Sequence, residues 1–417
     1  MGLSNHPQNG MIPVSKALEL IRQNVIPMGT ETVSINDFVG RILAEDVIAD
    51  MDLPPFDRSQ MDGFAVRSED IAKAPVELKI VGESAAGNGF HFDLKAGQAV
   101  RIMTGARVPI GADTVQKVEL TSEANFRSEA AERTDGLVTI LESIAAGKNI
   151  VRRGEEVHKG DRILSVGDRI NDRMVSVMAA FGYATVKVGR QPKVSILTTG
   201  TEVVEIDQTP GIDQIRNSNS AMLDALVSKA GAATKLLPST SDDLANIKST
   251  IALAAASSDV VIITGGVSVG KYDLTKQALL ELGAKVYFDR VRLKPGKPAV
   301  FAKLGETLIF GLPGNPVSAA VTYYLFVRKA LLIMQGAVET DLRKVRAVTT
   351  AALKAAKDRD TYLPAKFDID SEARFCVTPV KWIGSSDFIG FAKCDVLAFV
   401  PGSGRIAPGE ITDVVLL

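Results

Sequence analysis

The chain has 417 residues, of which 46% are apolar and 23% charged, and a net charge of -1. At roughly 100–200 residues per domain it holds two to four cores, and its near-neutral charge gives no global attraction to nucleic acid, so any anion site must be local. Two scattered cysteines (Cys376, Cys394) and three histidines (His6, His91, His158) exclude a closed zinc site and a disulfide framework. That usage fits a reducing, cytoplasmic setting, and a metal would have to be carried by carboxylates, which favours Mg²⁺.

The N-terminus is polar with Pro and Gly, unlike a signal peptide. His6 stands where a myristoylation signal after Met1-Gly2 needs Ser or Thr. Val14, Ala17, Leu18, Ile21 and Val25 recur at helical spacing and predict an amphipathic helix. From Asp52 to Arg153, short β-rich runs (Val76–Val81, Ala99–Met103, Val138–Ile144) alternate with Gly, Asn and Pro turns, as in a mostly β domain. Met174–Phe181 reads as a helix and Ala184–Val188 as a strand, so the β-rich block reads as an insertion into a small helical domain. The boundaries expected are 1–50 with 155–188 for the helical part and 51–154 for the insertion. An α/β domain is expected over 189–337 and a C-terminal β-barrel-like domain over 338–417.

After Gln191-Pro192-Lys193 the pattern alternates: strand Val194–Leu197, helix Ser220–Ala230, helix Asp242–Ala256, strand Val260–Ile263, helix Leu274–Leu282, strand Leu308–Phe310, helix Val317–Met334. Such alternation predicts a parallel sheet with right-handed crossovers. Ser239 and Ser241 are candidate N-caps, and Asn315-Pro316 supplies a cap and a proline at the first helical position. Ala319 to Met334 is apolar but interrupted by Arg328-Lys329 and too short to span a bilayer; it reads as a buried helix. Beyond Leu342 short strands return, including Arg374–Val380 and Val396–Val400.

Three Gly/Pro-rich turns follow apolar runs of the α/β segment: Thr198-Thr199-Gly200-Thr201-Glu202, Gly265 through Asp273, and Gly311-Leu312-Pro313-Gly314-Asn315-Pro316. Ligands of open α/β sheets sit beyond the carboxyl ends of the strands, so the three turns predict one pocket for a phosphorylated ligand. Gly265 to Lys271 nearly matches a P-loop, but Tyr272 replaces the hydroxyl residue that binds Mg²⁺. Gly265, Gly266, Ser268 and Gly270 then suit a nest of N–H groups for an anion better than a plain turn. Asp242 and Asp273 each read as helix N-caps or, if they converge on bound phosphates, as Mg²⁺ ligands. Lys294-Pro295-Gly296-Lys297-Pro298 sets two ammonium groups on a stiff turn, an anion clamp rather than a solvated pair. Pro313 and Pro316 make a rigid wall. On residues alone, Asp62-Gly63 and Thr104-Gly105 fit β-turns better than a site, and Arg152-Arg153-Gly154-Glu155-Glu156 fits a phosphate contact or surface ion pairs.

Together these segments resemble the molybdopterin molybdenumtransferases, the molybdenum insertases that include the E domain of gephyrin. The carriers are Met61-Asp62-Gly63-Phe64-Ala65-Val66, Arg101-Ile102-Met103-Thr104-Gly105-Ala106, Arg153-Gly154-Glu155, Thr199-Gly200-Thr201-Glu202, Gly265-Gly266-Val267-Ser268-Val269-Gly270, Lys294-Pro295-Gly296-Lys297-Pro298 and Gly311-Leu312-Pro313-Gly314-Asn315-Pro316-Val317-Ser318. Their order spans nearly the whole chain. Glu156 replaces the usual Asp after Arg-Gly-Glu, Thr201 a common Asp or Asn, and Gly384-Ser385-Ser386 a Gly-Ser-Gly; Gln116 interrupts an apolar pair.

The resemblance implies an elongated homodimer of four-domain subunits whose molybdopterin-binding α/β cleft is completed by the partner's β-rich block. It implies conversion of adenylylated molybdopterin and molybdate to molybdenum cofactor and AMP, with Mg²⁺, as the last step of the cofactor's biosynthesis. By position, Glu202, Asp242 and Asp273 would arrange Mg²⁺, phosphates or pterin, and Asp242 and Asp273 would be the metal ligands. Lys294 and Lys297 would neutralise phosphate and molybdate, and Asp62 and Thr104 would act across the dimer. Gly265, Gly266, Ser268, Gly270, Arg153, Pro313 and Pro316 would contact substrate. Contacts with molybdopterin adenylyltransferase and molybdoenzymes are expected, with no nucleic acid and no membrane. Two other classes compete: a scaffold that binds a partner peptide, and a nucleotide hydrolase using the α/β domain alone. Retention of the acidic and Lys sites opposes the first, and the Met61–Val66 and Arg101–Ala106 motifs oppose the second.

Overall fold

The computed structural model describes residues 10–124, 136–241, 243–265 and 274–417. They form two compact units. One spans Met1–Glu45, Val166–Ser176 and Ala184–Leu417; the other spans Asp46–Ser165 and Val177–Tyr183.

The smaller unit is built on five strands: β1 (Gly63–Val66), β2 (Val76–Ser84), β3 (Gln98–Ile102), β4 (Thr114–Lys117) and β5 (Leu137–Ile140). Their order is β4-β1-β3-β2-β5, antiparallel except for β2 beside β3. Alternate residues face opposite sides, as the two-residue repeat of a strand requires. Ala65, Val100, Ile102 and Val115 fill one face, and Phe64, Val66, Ala99 and Val138 the other. Two short pairings, Arg58–Ser59 with Ile150–Val151 and Val47–Ile48 with Arg162–Leu164, join the ends of the block.

In the larger unit, helix α1 (Val14–Asn24) buries Val14, Ala17 and Ile21, the stripe its sequence spacing predicts. Those side chains pack into the core of the α/β sheet. Thr30–Ser34 pairs with Thr185–Gly189, so the chain re-enters this unit beside the point where it left. Between them lies α2 (Asp172–Ala180).

The α/β sheet contains β6 (Lys193–Thr198), β7 (Ala233–Leu236), β8 (Val260–Thr264), β9 (Lys285–Phe288), β10 (Val300–Leu304) and β11 (Thr307–Leu312), in the order β7-β6-β8-β11-β10-β9. β7, β6, β8 and β11 are parallel, as expected. β10 and β9 add an antiparallel edge that the alternation did not reveal. The reason is local: only Gly305-Glu306 separates β10 from β11, and Gly305 takes φ +57°, which suits a two-residue hairpin. A parallel crossover needs a dozen residues or more. Both faces are covered. Val194, Ile196, Val260, Ile262 and Phe310 point to one core, and Leu197, Val261, Ile263 and Ile309 to the other.

Helices α3 (Ser218–Lys229), α4 (Leu244–Ser257) and α5 (Leu274–Glu281) follow the strands. The cap of α4 is Asp243, whose side chain accepts from the Asn246 N–H at 3.0 Å, and neither Ser239 nor Ser241. Asn315 and Pro316 do open α6 (Pro316–Thr322), but the Asn315 side chain bonds Ser385 rather than the helix. The expected helix to Met334 is continuous in direction but contains a π turn at Tyr323–Val327. Just before that turn, Thr322 Oγ1 donates to the carbonyls of Ser318 (2.7 Å) and Ala319 (3.0 Å), competing with the helix's own bonds. Pro316–Met334 is long and apolar enough to cross a membrane, yet 83% of its most apolar window is buried inside the fold. Lys329 within it is 2% exposed and paired with Asp341.

The C-terminal domain is a closed barrel of β12 (Lys344–Thr349), β13 (Asp360–Ile369), β14 (Phe375–Pro379), β15 (Val396–Val400) and β16 (Ile411–Leu416). The ring runs β13-β14-β12-β16-β15 and closes on β13. Ala347, Ala365, Val377, Ala398 and Val414 fill its centre, small side chains for a small bore. One end of β13 also pairs with Leu293–Lys294, tying the barrel to the Lys-Pro-Gly-Lys-Pro turn.

Candidate functional site

Thr198 on β6 is level with Thr264 on β8, and Thr264 with Leu312 on β11. The three turns therefore leave the sheet at one edge, as the sequence predicts. Gly311 and Leu312 belong to the strand, so the third turn begins at Pro313. Around this edge lies a cavity of about 860 Å³ lined by Thr198, Thr199, Glu202, Asn219, Gly265, Pro313 and Pro316, among others.

A hydroxyl and amide network holds the edge. Asn217 caps α3 by accepting the Ser220 N–H at 3.1 Å, and Thr198 Oγ1 donates to the same Asn217 oxygen at 3.2 Å. Asn219 Nδ2 donates to Thr264 Oγ1 (2.9 Å) and to the Gly314 carbonyl (2.7 Å), bridging two strand ends and the third turn. Thr264 Oγ1 passes its proton to the Pro313 carbonyl at 3.2 Å. Gly265 has φ +89°, and a Cβ there would lie 2.2 Å from the Thr199 carbonyl oxygen, so only glycine permits this crossing of turns. The Glu202 carboxylate folds over Gly200, where a Cβ would meet it at 2.7 Å.

A second cavity, of about 460 Å³, shares Pro298, Pro313 and Asn315 with the first. Lys294, Lys297 and Arg359 all line it, beside Ser385 and Trp382. None of the three cations is within salt-bridge reach of a carboxylate among the described residues. The Lys turn is closed by the Val291 N–H donating to the Lys297 carbonyl at 3.0 Å, and Gly296 takes φ +116°. Three cations unpaired among the described residues, two on a fixed turn and one just before β13, have the charge to attract a compact oxyanion.

Of the residues expected at this edge, Glu202, Gly265, Lys294, Lys297, Pro313 and Pro316 line the two adjoining cavities. Asp242, Gly266, Ser268, Gly270 and Asp273 lie outside the described residues. Among the described residues no three His, Cys, Asp or Glu side chains group to hold a metal. Sequence reasoning missed Asn217, Asn219, Arg359 and Ser385. The Asn217-Ser218-Asn219-Ser220 run before a helical pattern carried a cap signal. Arg359 carried none, because the barrel alone brings it beside the Lys turn.

In the smaller unit, Asp62 and Thr104 meet: Thr104 donates from its backbone N (2.7 Å) and its hydroxyl (2.8 Å) to one Asp62 oxygen. Behind them, Arg101 lies over the Phe64 ring at 5.1 Å and pairs with the buried Glu123. Arg153 is engaged with Asp52 at 2.6 Å, and Arg152 with Asp57 at 2.6 Å. The Lys159 backbone N–H and then Arg153 hold the Asp52 carboxyl below the usual range. Burial would raise the Asp57 carboxyl, but the Arg153 N–H and Arg152 together outweigh it. Glu156 pairs with Arg58 at 2.8 Å.

This α/β cleft, with a β-rich block inserted early in the chain and a C-terminal barrel, defines the molybdopterin-binding class of multidomain proteins. Residues 12–182 match the MoeA N-terminal region (domain I and II), 195–332 a probable molybdopterin binding domain, and 346–417 the MoeA C-terminal region (domain IV). The chain is 33% identical over 410 residues to a molybdopterin molybdenumtransferase of Staphylococcus aureus, covering 97% of this chain and 95% of that one. It is 34% identical over 400 residues to the Haemophilus influenzae molybdopterin molybdenumtransferase, covering 95% and 96%. The crystal structure of a molybdopterin biosynthesis moeA protein from Pyrococcus horikoshii OT3 superposes with a TM-score of 0.82 at 30% identity, covering 98% of this chain and all of that one. The chain belongs to the molybdopterin molybdenumtransferase family, enzymes of molybdenum cofactor biosynthesis.

Proposed function

We propose that this protein converts adenylylated molybdopterin and molybdate to molybdenum cofactor and AMP. The observation that carries this reading is the pair of adjoining cavities with different linings. The larger, at the strand ends, is mixed polar and apolar, and its volume of about 860 Å³ can hold a pterin with its phosphate. The smaller holds Lys294, Lys297 and Arg359 with no carboxylate partner among the described residues, the charge and size to seat molybdate, a tetrahedral dianion. Shared walls at Pro298, Pro313 and Asn315 would bring the oxyanion against the pterin's dithiolene sulfurs.

The chemistry asked of the protein is positioning and charge neutralisation. Lys294 and Lys297 neutralise the oxyanions, and the Gly265 turn lets backbone approach the phosphate closely. Water attacks the phosphoanhydride and AMP leaves. The two dithiolene sulfurs displace oxide from molybdate, and the oxide departs as water on protons from the thiols and solvent, with no change in the oxidation state of the metal. Magnesium suits such a site because it uses one or two carboxylates and substrate phosphates rather than a protein cage. Glu202, exposed on the cavity with no side-chain partner among the described residues, fits that role together with Asp242 and Asp273. When bound, the ion would spread the charge of the phosphoanhydride. A homodimer in which a second copy supplies Asp62 and Thr104, a cytoplasmic location, and exchange with molybdopterin adenylyltransferase and molybdoenzymes belong to the same reading.

The test is AMP release from adenylylated molybdopterin with Mg²⁺, with and without molybdate, for the wild type, Asp273→Ala and Lys297→Ala. Molybdate-dependent release lost in Asp273→Ala supports insertion. Tight binding of the pterin nucleotide without release in the wild type would turn the reading toward a scaffold.

A further inference from the structure

Two side-chain atoms at the strand-end cavity are buried with no hydrogen-bond partner among the described residues: Thr199 Oγ1 and Asn219 Oδ1. Thr199 is 2% exposed and Asn219 7%, and both residues line the cavity. Native folds leave few such groups unsatisfied, because each forfeits its bonds to water.

The bonding fixes which way the Asn219 amide faces. The Gly314 carbonyl can only accept, so the amide atom 2.7 Å from it is the nitrogen. The same nitrogen reaches Thr264 Oγ1, and that hydroxyl spends its own proton on the Pro313 carbonyl. The remaining Asn219 atom is therefore a pure acceptor. Glu202, another acceptor, lines the same cavity. Phosphate and molybdate oxygens are acceptors too and cannot satisfy Asn219 Oδ1 or Glu202; the Thr199 hydroxyl can accept from the same donor that meets Asn219. The cations that suit the oxyanions stand in the neighbouring cavity.

We propose that Thr199 and Asn219 are specificity-determining residues that receive an N–H or O–H donor of the bound substrate. This places the uncharged, donor-bearing end of the substrate at the ends of β6 and β8, and its oxyanion end toward Lys294, Lys297 and Arg359. Two groups carry that chemistry: the amino or ring N–H of a pterin, and the ribose hydroxyls of an adenylyl group. The inference rests on the molybdenumtransferase reading above.

Removing Asn219 strands the Gly314 carbonyl and Thr264, so such a variant confounds binding with folding. Thr199→Val does not, because the hydroxyl it deletes bonds nothing among the described residues. Affinities of wild type and Thr199→Val would be measured for molybdopterin, AMP, inorganic phosphate and molybdate, with melting temperatures alongside. The expected result is a loss of roughly fivefold to tenfold, the size of one neutral hydrogen bond, for molybdopterin or for AMP. The ligand that weakens identifies the donor. Phosphate and molybdate should bind unchanged, and the melting temperature should hold or rise. Unchanged affinity for both organic ligands overturns the inference, as does an equal loss for phosphate. A wild type that binds neither organic ligand overturns this inference and the molybdenumtransferase reading together. A wild type that binds them but releases no AMP from the adenylylated substrate sinks only the latter.

Discussion

Thr104 donates twice to a single oxygen of Asp62, from its backbone N at 2.7 Å and from its hydroxyl at 2.8 Å. The backbone bond needs only an N–H, which every residue but proline has; the hydroxyl bond needs Thr or Ser. Thr104→Val should therefore leave the turn folded, with stability changed by less than about 1 kcal/mol, since the pair is exposed. If the proposed role of Asp62 is right, AMP release falls about tenfold, because the carboxylate loses one of its two bonds to Thr104. A melting curve and a turnover assay on the same preparation separate the two effects.

Gly63 is a packing requirement. A Cβ there would lie 1.9 Å from the Gln116 carbonyl oxygen on β4, and backbone cannot yield as a side-chain tip can. Gly63→Ala should destabilise the smaller unit by more than about 2 kcal/mol. Urea unfolding should show it as a lower midpoint; an unaltered midpoint would mean that β1 and β4 separate at little cost.

Lys297→Ala and Arg359→Ala each remove one of the three cations that line the smaller cavity. Each should raise the molybdate concentration needed for half-maximal insertion by about 10- to 100-fold, the range for a charge-assisted bond. Saturating molybdate should restore much of the rate. An effect confined to the affinity for the pterin substrate would move the oxyanion out of this cavity.

The turn between β13 and β14 carries an acid-sensitive latch. The backbone N–H of Arg374 is the main cause holding the Asp370 carboxyl down to about 2, against an ordinary value of about 3.9. A carboxyl depressed in the folded state stabilises above the unfolded value and loses that contribution as pH falls toward the folded one. Asp370 thus favours the folded barrel above about pH 4 and ceases to between about pH 4 and 2. Asp370→Asn should flatten the melting temperature against pH over that window. A slope unchanged from wild type would assign the acid sensitivity to other carboxylates.

The strand-end turns were legible because Val194–Leu197 and Val260–Ile263 are short apolar runs broken by Gly-rich turns, a signal carried within a few residues. The barrel strand Val396–Val400 was legible for the same reason, and its bounds agree with the structure. Less legible were features that depend on who pairs with whom. Lys285–Phe288 and Val300–Leu304 are too brief to announce direction, and only the two-residue link at Gly305 decides it. Asp243 took the cap of α4 from nearby serines because one residue of register decides which oxygen reaches the Asn246 N–H. Asn219 looked like cap chemistry, whereas its amide nitrogen spans Thr264 and Gly314, 45 and 95 residues away in sequence.

Lys294 pairs by its backbone with β13 of the barrel, while its side chain shares a cavity with Arg359 of that same barrel. The seat for the oxyanion therefore belongs to neither core alone. An ion that enters it adds its binding free energy to the adhesion between sheet and barrel, stabilising the joined form by mass action. Substrate occupancy and the cooperativity of unfolding become two readings of one linkage. An ion in the smaller cavity would tighten a joint that the shared core at Tyr362, Leu397 and Val415 already makes.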